Sequence, residues 1–182
     1  MLDWWYQQPK QTVNNGISLL WGFCEATFFF LIPDIYLTRI ALSNYKHGLI
    51  ACLFATVGAL VGGLVMYYWG MYSPDRAEHF LLTIPAISST LINQVANSLN
   101  TPLQSLMTAP FHGIPYKIYA VALGHAQIPI LFFMLTSFAA RLSRFILTVT
   151  LTAVAVKVFK QQSEHFYYLT HLIVWIIIYS CY

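Results

Sequence analysis

Five ionisable side chains stand inside otherwise apolar stretches of this sequence: Glu25, Asp34, Lys117, Arg141 and Arg144. An ionised group in apolar surroundings costs several kcal/mol unless it is paired or hydrated, so such residues are functional candidates by default. Burial favours the neutral form of a carboxyl, which is the property a proton carrier needs; on that reading Glu25 and Asp34 exchange protons. Arg141 and Arg144 are three residues apart, hence on one face of a helix. Two guanidinium forks side by side suit a phosphate, which they engage bidentately, and Lys117 offers a third cation. The structural alternative stands beside this: the acids pair with Arg141, Arg144 or Lys117 and only lock helices together, or the arginines snorkel at an interface. A pair that opens on protonation would satisfy both readings. Arg39, just past Pro33-Asp34, reads as a snorkelling residue.

Other chemistries find no support. The histidines (His47, His79, His112, His125, His165, His171) show no metal-ligand spacing and read as interfacial or packed, with His112 singled out because it precedes Gly113. Cys24, Cys52 and Cys181 lie in apolar runs without a CxxC, so they read as small hydrophobes. No Ser-His-Asp order, zinc motif or phosphate-cradling glycine loop occurs. The expectation is a non-enzyme without metal or cofactor.

Composition narrows the scaffold that can hold these residues. The chain has 182 residues, 58% hydrophobic and 8% charged, with mean hydropathy +0.63. Soluble domains carry about 25% charged residues, so nine Lys+Arg and six Asp+Glu cannot cover a globule of this size. A soluble enzyme, a disordered chain and a nucleic-acid binder, which needs clustered basic residues, are excluded. The reading is a single all-α integral membrane domain over 1–182.

Within it, 48–71 is a charge-free span with a small-residue face (Gly58, Gly62, Gly63) for close helix approach. A second span, 128–159, carries Arg141 and Arg144. Residues 166–182 form an apolar C-terminal helix, 77–100 an interfacial or packed helix with a polar stripe (Asn93, Gln94, Asn97, Asn100), and 1–16 an interfacial N-terminal segment rich in Trp and Tyr. No basic stretch followed by an apolar run opens the chain, so no signal peptide is expected. Two proline-interrupted stretches, 17–45 around Pro33 and 102–126 around Gly113 and Pro115, have halves too short to cross ~30 Å of hydrocarbon. They read as re-entrant hairpins, whose irregular backbone survives only when buried or lining a wet cavity. FFLIPDIY (Phe29–Tyr36) aligns with FHGIPYKIY (Phe111–Tyr119) with one insertion, setting Asp34 opposite Lys117. Each hairpin precedes a long span, the arrangement of an inverted internal repeat. Threading the chain this way collects Lys10, Lys46, Lys157 and Lys160 on one face, the cytoplasmic one by the positive-inside rule.

GFCEATFFFLIPD (Gly22–Asp34), APFHGIPYKIYAVALG (Ala109–Gly124) and SFAARLSRF (Ser137–Phe145) resemble the signatures of the DedA family of bacterial inner-membrane proteins, also called SNARE-associated or VTT-domain proteins, most nearly its YqaA-like branch. The resemblance covers roughly Gly22 to Phe159 in order and spacing. It implies two re-entrant hairpins in an inverted repeat and a multi-pass protein of the bacterial inner membrane. It also implies movement of phospholipids or polyprenyl phosphates between leaflets, driven by the proton motive force. Two departures stand out: Leu31-Ile32-Pro33 where the family often has two prolines, and Lys117 where many members carry an arginine motif.

The combined expectation is a proton-coupled transporter or flippase of a phosphate-bearing lipid. Glu25 and Asp34 would couple protons, and Arg141, Arg144 and Lys117 would hold the headgroup. Pro33, Gly113 and Pro115 would form the hairpin tips, with membrane lipids and protons as partners, no nucleic acid, and a homo-oligomer left open. The alternatives are a structural membrane subunit and an intramembrane lipid phosphatase, the latter without a recognisable nucleophile.

Overall fold

A computed structural model of the chain describes residues 3–99, 113–158 and 164–180. Among these residues the regular elements are all helices: α1 (Asp3–Thr27), α2 (Asp34–Ser43), α3 (Tyr45–Tyr72), α4 (Pro74–Leu82), α5 (Ser89–Ser98), α6 (Tyr116–His125), α7 (Ile130–Val158) and α8 (Glu164–Ser180). The 28 residues of α3 and the 29 of α7 are long and apolar enough to cross a membrane, with mean hydropathy of 2.4 and 1.6 in their best stretches. Each leaves large apolar side chains exposed, Leu53, Val57, Val61 and Val65 down one side of α3 and Leu131, Leu135, Leu147 and Leu151 along α7. Such extensive exposed apolar surface supports membrane association.

Helix α3 is the centre of the fold, touching α1, α2, α4, α6 and α7. Its glycines make that possible. A Cβ on Gly58 would run into the carbonyl oxygen of Leu19 on α1, and one on Gly70 into that of Val121 on α6. Gly124 of α6 meets the Tyr67 carbonyl of α3 in the same way. Backbones approach this closely only where side chains are missing. Asn44, in extended conformation, separates α2 from α3, and its side chain accepts from the His47 amide at 3.2 Å, capping α3. Ser73 ends α3 and Pro74 opens α4, where a missing N–H costs nothing.

Two apolar cores result. One gathers Met66, Tyr67, Ile118, Leu123 and Phe133 where α3, α6 and α7 meet; Tyr67 stacks on Phe133 at 5.0 Å and donates to the Ile128 carbonyl at 2.5 Å. The other joins Leu37 and Ala41 of α2, Ala51 and Ala55 of α3, and Phe145 and Val149 of α7.

Element boundaries depart from the sequence expectation in two places. The expected boundary at residue 16 is absent, because α1 runs unbroken from Asp3 to Thr27. The Asn14 side chain accepts from the Tyr36 hydroxyl at 2.9 Å and Ser18 donates to the Asn14 carbonyl, which ties this polar part of α1 to α2. Over its described part, 77–99, the stretch expected as one helix is two. The chain turns at Ile84-Pro85-Ala86, with Ala86 at φ 66°, between α4 and α5; a proline inside a helix removes a hydrogen bond and clashes with the preceding turn. The polar stripe Asn93, Gln94 and Asn97 is exposed while Val95 is buried. The stretch 102–112, including His112 and the first half of the second proline-broken segment, lies outside the described residues.

Candidate functional site

The site starts from an interruption. Helix α1 ends at Thr27 and α2 begins at Asp34; Phe28 and Phe29 still donate to the Cys24 carbonyl and the Pro33 carbonyl accepts from Tyr36 and Leu37, but the backbone between them falls outside both helical ladders. Buried backbone polar groups must find partners, and here distant side chains supply them. Trp21 Nε1 donates to the Leu31 carbonyl at 3.0 Å, Lys117 Nζ donates to the Phe29 carbonyl at 2.8 Å, and the Ile32 amide donates to the Tyr179 hydroxyl at 2.9 Å. Trp21 also stacks on Tyr36 at 5.8 Å, closing α1 against α2. The break is thus held from α1, from α6 and from α8 at once.

The two acids flank this break. Glu25, 3% exposed, is in the last turns of α1 and forms an ion pair with Arg141 Nη2 of α7. Asp34, fully buried, opens α2, where a helix N-terminus favours negative charge. Its Oδ2 accepts from Arg144 Nη2 at 3.0 Å and its Oδ1 from Thr148 Oγ1 at 3.0 Å. The two pairs differ in their access to solvent. Arg141 is 3% exposed and its guanidinium lies 4.3 Å from the Tyr116 ring, a cation–π contact. The Arg144 side chain retains 21% exposure.

Lys117 is only 1% exposed and forms no ion pair among the described residues. Among the described residues two carboxylates therefore face three basic side chains in this interior, and Lys117 is the one without a carboxylate. An uncompensated buried charge is costly, so the cluster as built favours an anion.

A cavity of about 410 Å³ opens beside these groups. Glu25, Asp34, Lys117 and Arg144 line it, together with Gly113 and Pro115 of the second break, the Ile84–Ile87 turn, and Trp175 and Tyr179 of α8. Arg141 does not belong to the lining. Asp34 and Lys117, opposite each other in the internal alignment, thus share one cavity. Gly113 is in left-handed backbone at φ 67°, which favours glycine, and Pro33 is buried next to Asp34. Arg39 is exposed on the far side of α2, its guanidinium 3.9 Å from the Tyr168 ring of α8. Among the described residues no cluster of three or more His, Cys, Asp or Glu has metal-binding geometry.

Four contributors escaped the sequence reading: Trp21, Thr148, Trp175 and Tyr179. Each had a spacing signal. Trp21 precedes Glu25 by four residues and Thr148 follows Arg144 by four, so each shares its partner's helix face. His171, Trp175 and Tyr179 recur every four residues along α8, one side of which meets α2 and the break.

Two curated proteins are similar to this chain. One, an uncharacterized protein of Haemophilus influenzae, is 25% identical over 152 residues, 81% of this chain and 79% of its own length. Another, an uncharacterized protein of Histophilus somni, is 26% identical over 181 residues, 96% of this chain and 94% of its own. No protein-family model matches the chain, and no solved structure matches it.

Proposed function

We propose that this is a multi-pass protein of the bacterial inner membrane that carries a phosphate-bearing lipid between leaflets, coupled to protons. In this reading α3 and α7 span the bilayer. The α1–break–α2 unit, and the segment around Gly113 and Pro115 with α6, are re-entrant hairpins of an inverted repeat, as the DedA-family resemblance implies. One observation carries the proposal: a cavity of about 410 Å³ bordered by the first break and by Gly113 and Pro115, lined by two acids and two bases, of which Lys117 has no carboxylate partner among the described residues. Irregular backbone at membrane depth belongs around wet cavities, and phosphate compensates surplus cations through charge-assisted hydrogen bonds.

The geometry divides the work. Asp34 and Arg144 both line the cavity, whereas of the other pair only Glu25 does, so protonating Asp34 would free Arg144 to join Lys117 on the phosphate. Arg141, away from the cavity and against the Tyr116 ring, would with Glu25 hold α1 to α7. The closed pairs also favour a second reading, a structural membrane subunit in which the charges only lock helices. Reconstituting the pure protein in vesicles and following headgroup-labelled phospholipid, with and without a pH gradient, separates them. Gradient-dependent transfer of intact lipid is the result expected. No transfer would leave the structural reading, and chemically altered lipid would indicate an enzyme.

A further inference from the structure

A second cavity, of about 420 Å³, lies between α2, α7 and α8. Its walls are Leu42, Leu151, Ala155, Val156, Phe166 and Val174 with a few hydroxyls and His171, and among the described residues none that line it is Asp, Glu, Lys or Arg. It adjoins the charged cavity: Thr148, Trp175 and Ile178 line both. Thr148 holds Asp34 on one side and faces the apolar groove on the other. Trp175 is fixed at the junction by donating to Thr38 Oγ1 at 3.3 Å and to His171 Nε2 at 3.1 Å.

Two bases, Lys117 and Arg144, at one end and an apolar groove at the other match an amphiphile in polarity. Volumes of this size are those of ordinary small-molecule sites, which are mostly apolar with a few convergent polar groups. We propose that the α2–α7–α8 groove holds a hydrocarbon chain of the same molecule whose phosphate sits against Lys117 and Arg144. This rests on the functional reading above and makes it more specific, since the protein then binds headgroup and chain together rather than sliding a headgroup through while the chains stay in bulk lipid.

The test uses two probes on the purified full chain. Glycerol phosphate, which has no chain, reports the charged cavity alone. A long-chain alkyl phosphate bearing a photoreactive group at the chain terminus reports where the chain lies. Ala155 is exposed in the groove wall, so Ala155→Trp fills the groove without disturbing a core, and Val154→Trp, at the preceding residue and outside the lining, is the control. The label should attach to α8 and to the Leu151–Val156 face of α7. Ala155→Trp should abolish that attachment while Val154→Trp keeps it, and both should bind glycerol phosphate like the parent. Label spread over the outer surface of α3 and α7, or unchanged by Ala155→Trp, overturns the groove even if glycerol phosphate binds. Failure of glycerol phosphate to bind, with groove labelling intact and lost in Ala155→Trp, overturns the headgroup reading instead and leaves the chain site standing.

Discussion

The two ion pairs differ enough in burial to respond differently to the same chemical change. Glu25→Gln and Asp34→Asn each remove one negative charge while keeping size and an amide oxygen that can still accept a hydrogen bond. At Glu25 the stranded cation is Arg141, 3% exposed, with Nε already lacking a hydrogen-bond partner. Breaking a buried pair costs about 3–5 kcal/mol. The Tyr116 ring at 4.3 Å offsets part of this, since a desolvated cation–π contact is worth about 2 kcal/mol. The net loss is therefore at the lower end, about 3 kcal/mol. At Asp34 the stranded cation is Arg144, 21% exposed and facing the cavity, where water can solvate it; the loss is about 1 kcal/mol, as for partly exposed pairs. In thermal unfolding at a shift of about 2–4 °C per kcal/mol for a chain of this size, Glu25→Gln should lose about 6–12 °C and Asp34→Asn about 2–4 °C, both measured in one detergent. Adding Arg141→Met to Glu25→Gln removes the stranded charge and should recover most of the loss. Equal shifts for the two single variants, or a double variant no better than Glu25→Gln, would refute the division between a sealed arginine and an accessible one.

Asp34→Asn should accumulate normally and, in reconstituted vesicles, lose the dependence of lipid transfer on the pH gradient; full gradient response in this variant would remove Asp34 from proton coupling. Arg144→Lys keeps the charge but not the planar fork, so it should weaken phosphate binding with little effect on accumulation, as titration with glycerol phosphate would show. Tyr179→Phe leaves the Ile32 amide without its acceptor, a loss of about 1–3 kcal/mol that thermal unfolding would register. Gly58→Ala sets a Cβ against the Leu19 carbonyl, and overpacking of this kind costs about 1–3 kcal/mol; unchanged stability would mean α1 and α3 can separate at no cost.

Much of the helical frame is legible in the sequence because its signals are local. The span 48–71 has no charge, a small-residue face and turn residues at its end, and it corresponds to α3. The span 128–159 corresponds to α7 despite its arginines, because eight or more apolar residues on either side outweigh them. The boundaries that differ depend on contacts between distant segments. Nothing within residues 1–16 announces that Asn14 meets Tyr36. Pro85 does mark the end of α4, but the polar spacing of Asn93, Gln94 and Asn97 makes the longer stretch read as one element.

The site is legible as a set of residues but not as a set of pairs, and α7 shows why. Three residues apart means one face of a helix, which suggests two guanidinium groups acting together on one phosphate. At 3.6 residues per turn, however, the same spacing leaves Arg144 turned about 60° from Arg141 and about 4.5 Å further along the axis. That offset is small on α7 but matches a division in its neighbours, because the break at residues 28–33 puts Glu25 on α1 and Asp34 on α2. Arg141 therefore meets Glu25 and Arg144 meets Asp34. The remaining cation, Lys117, is drawn to the Phe29 carbonyl because that same break leaves it without a helical donor. One interruption of one helix thus decides which arginine is sealed, which faces the cavity, and why a lysine with no carboxylate partner is held beside them.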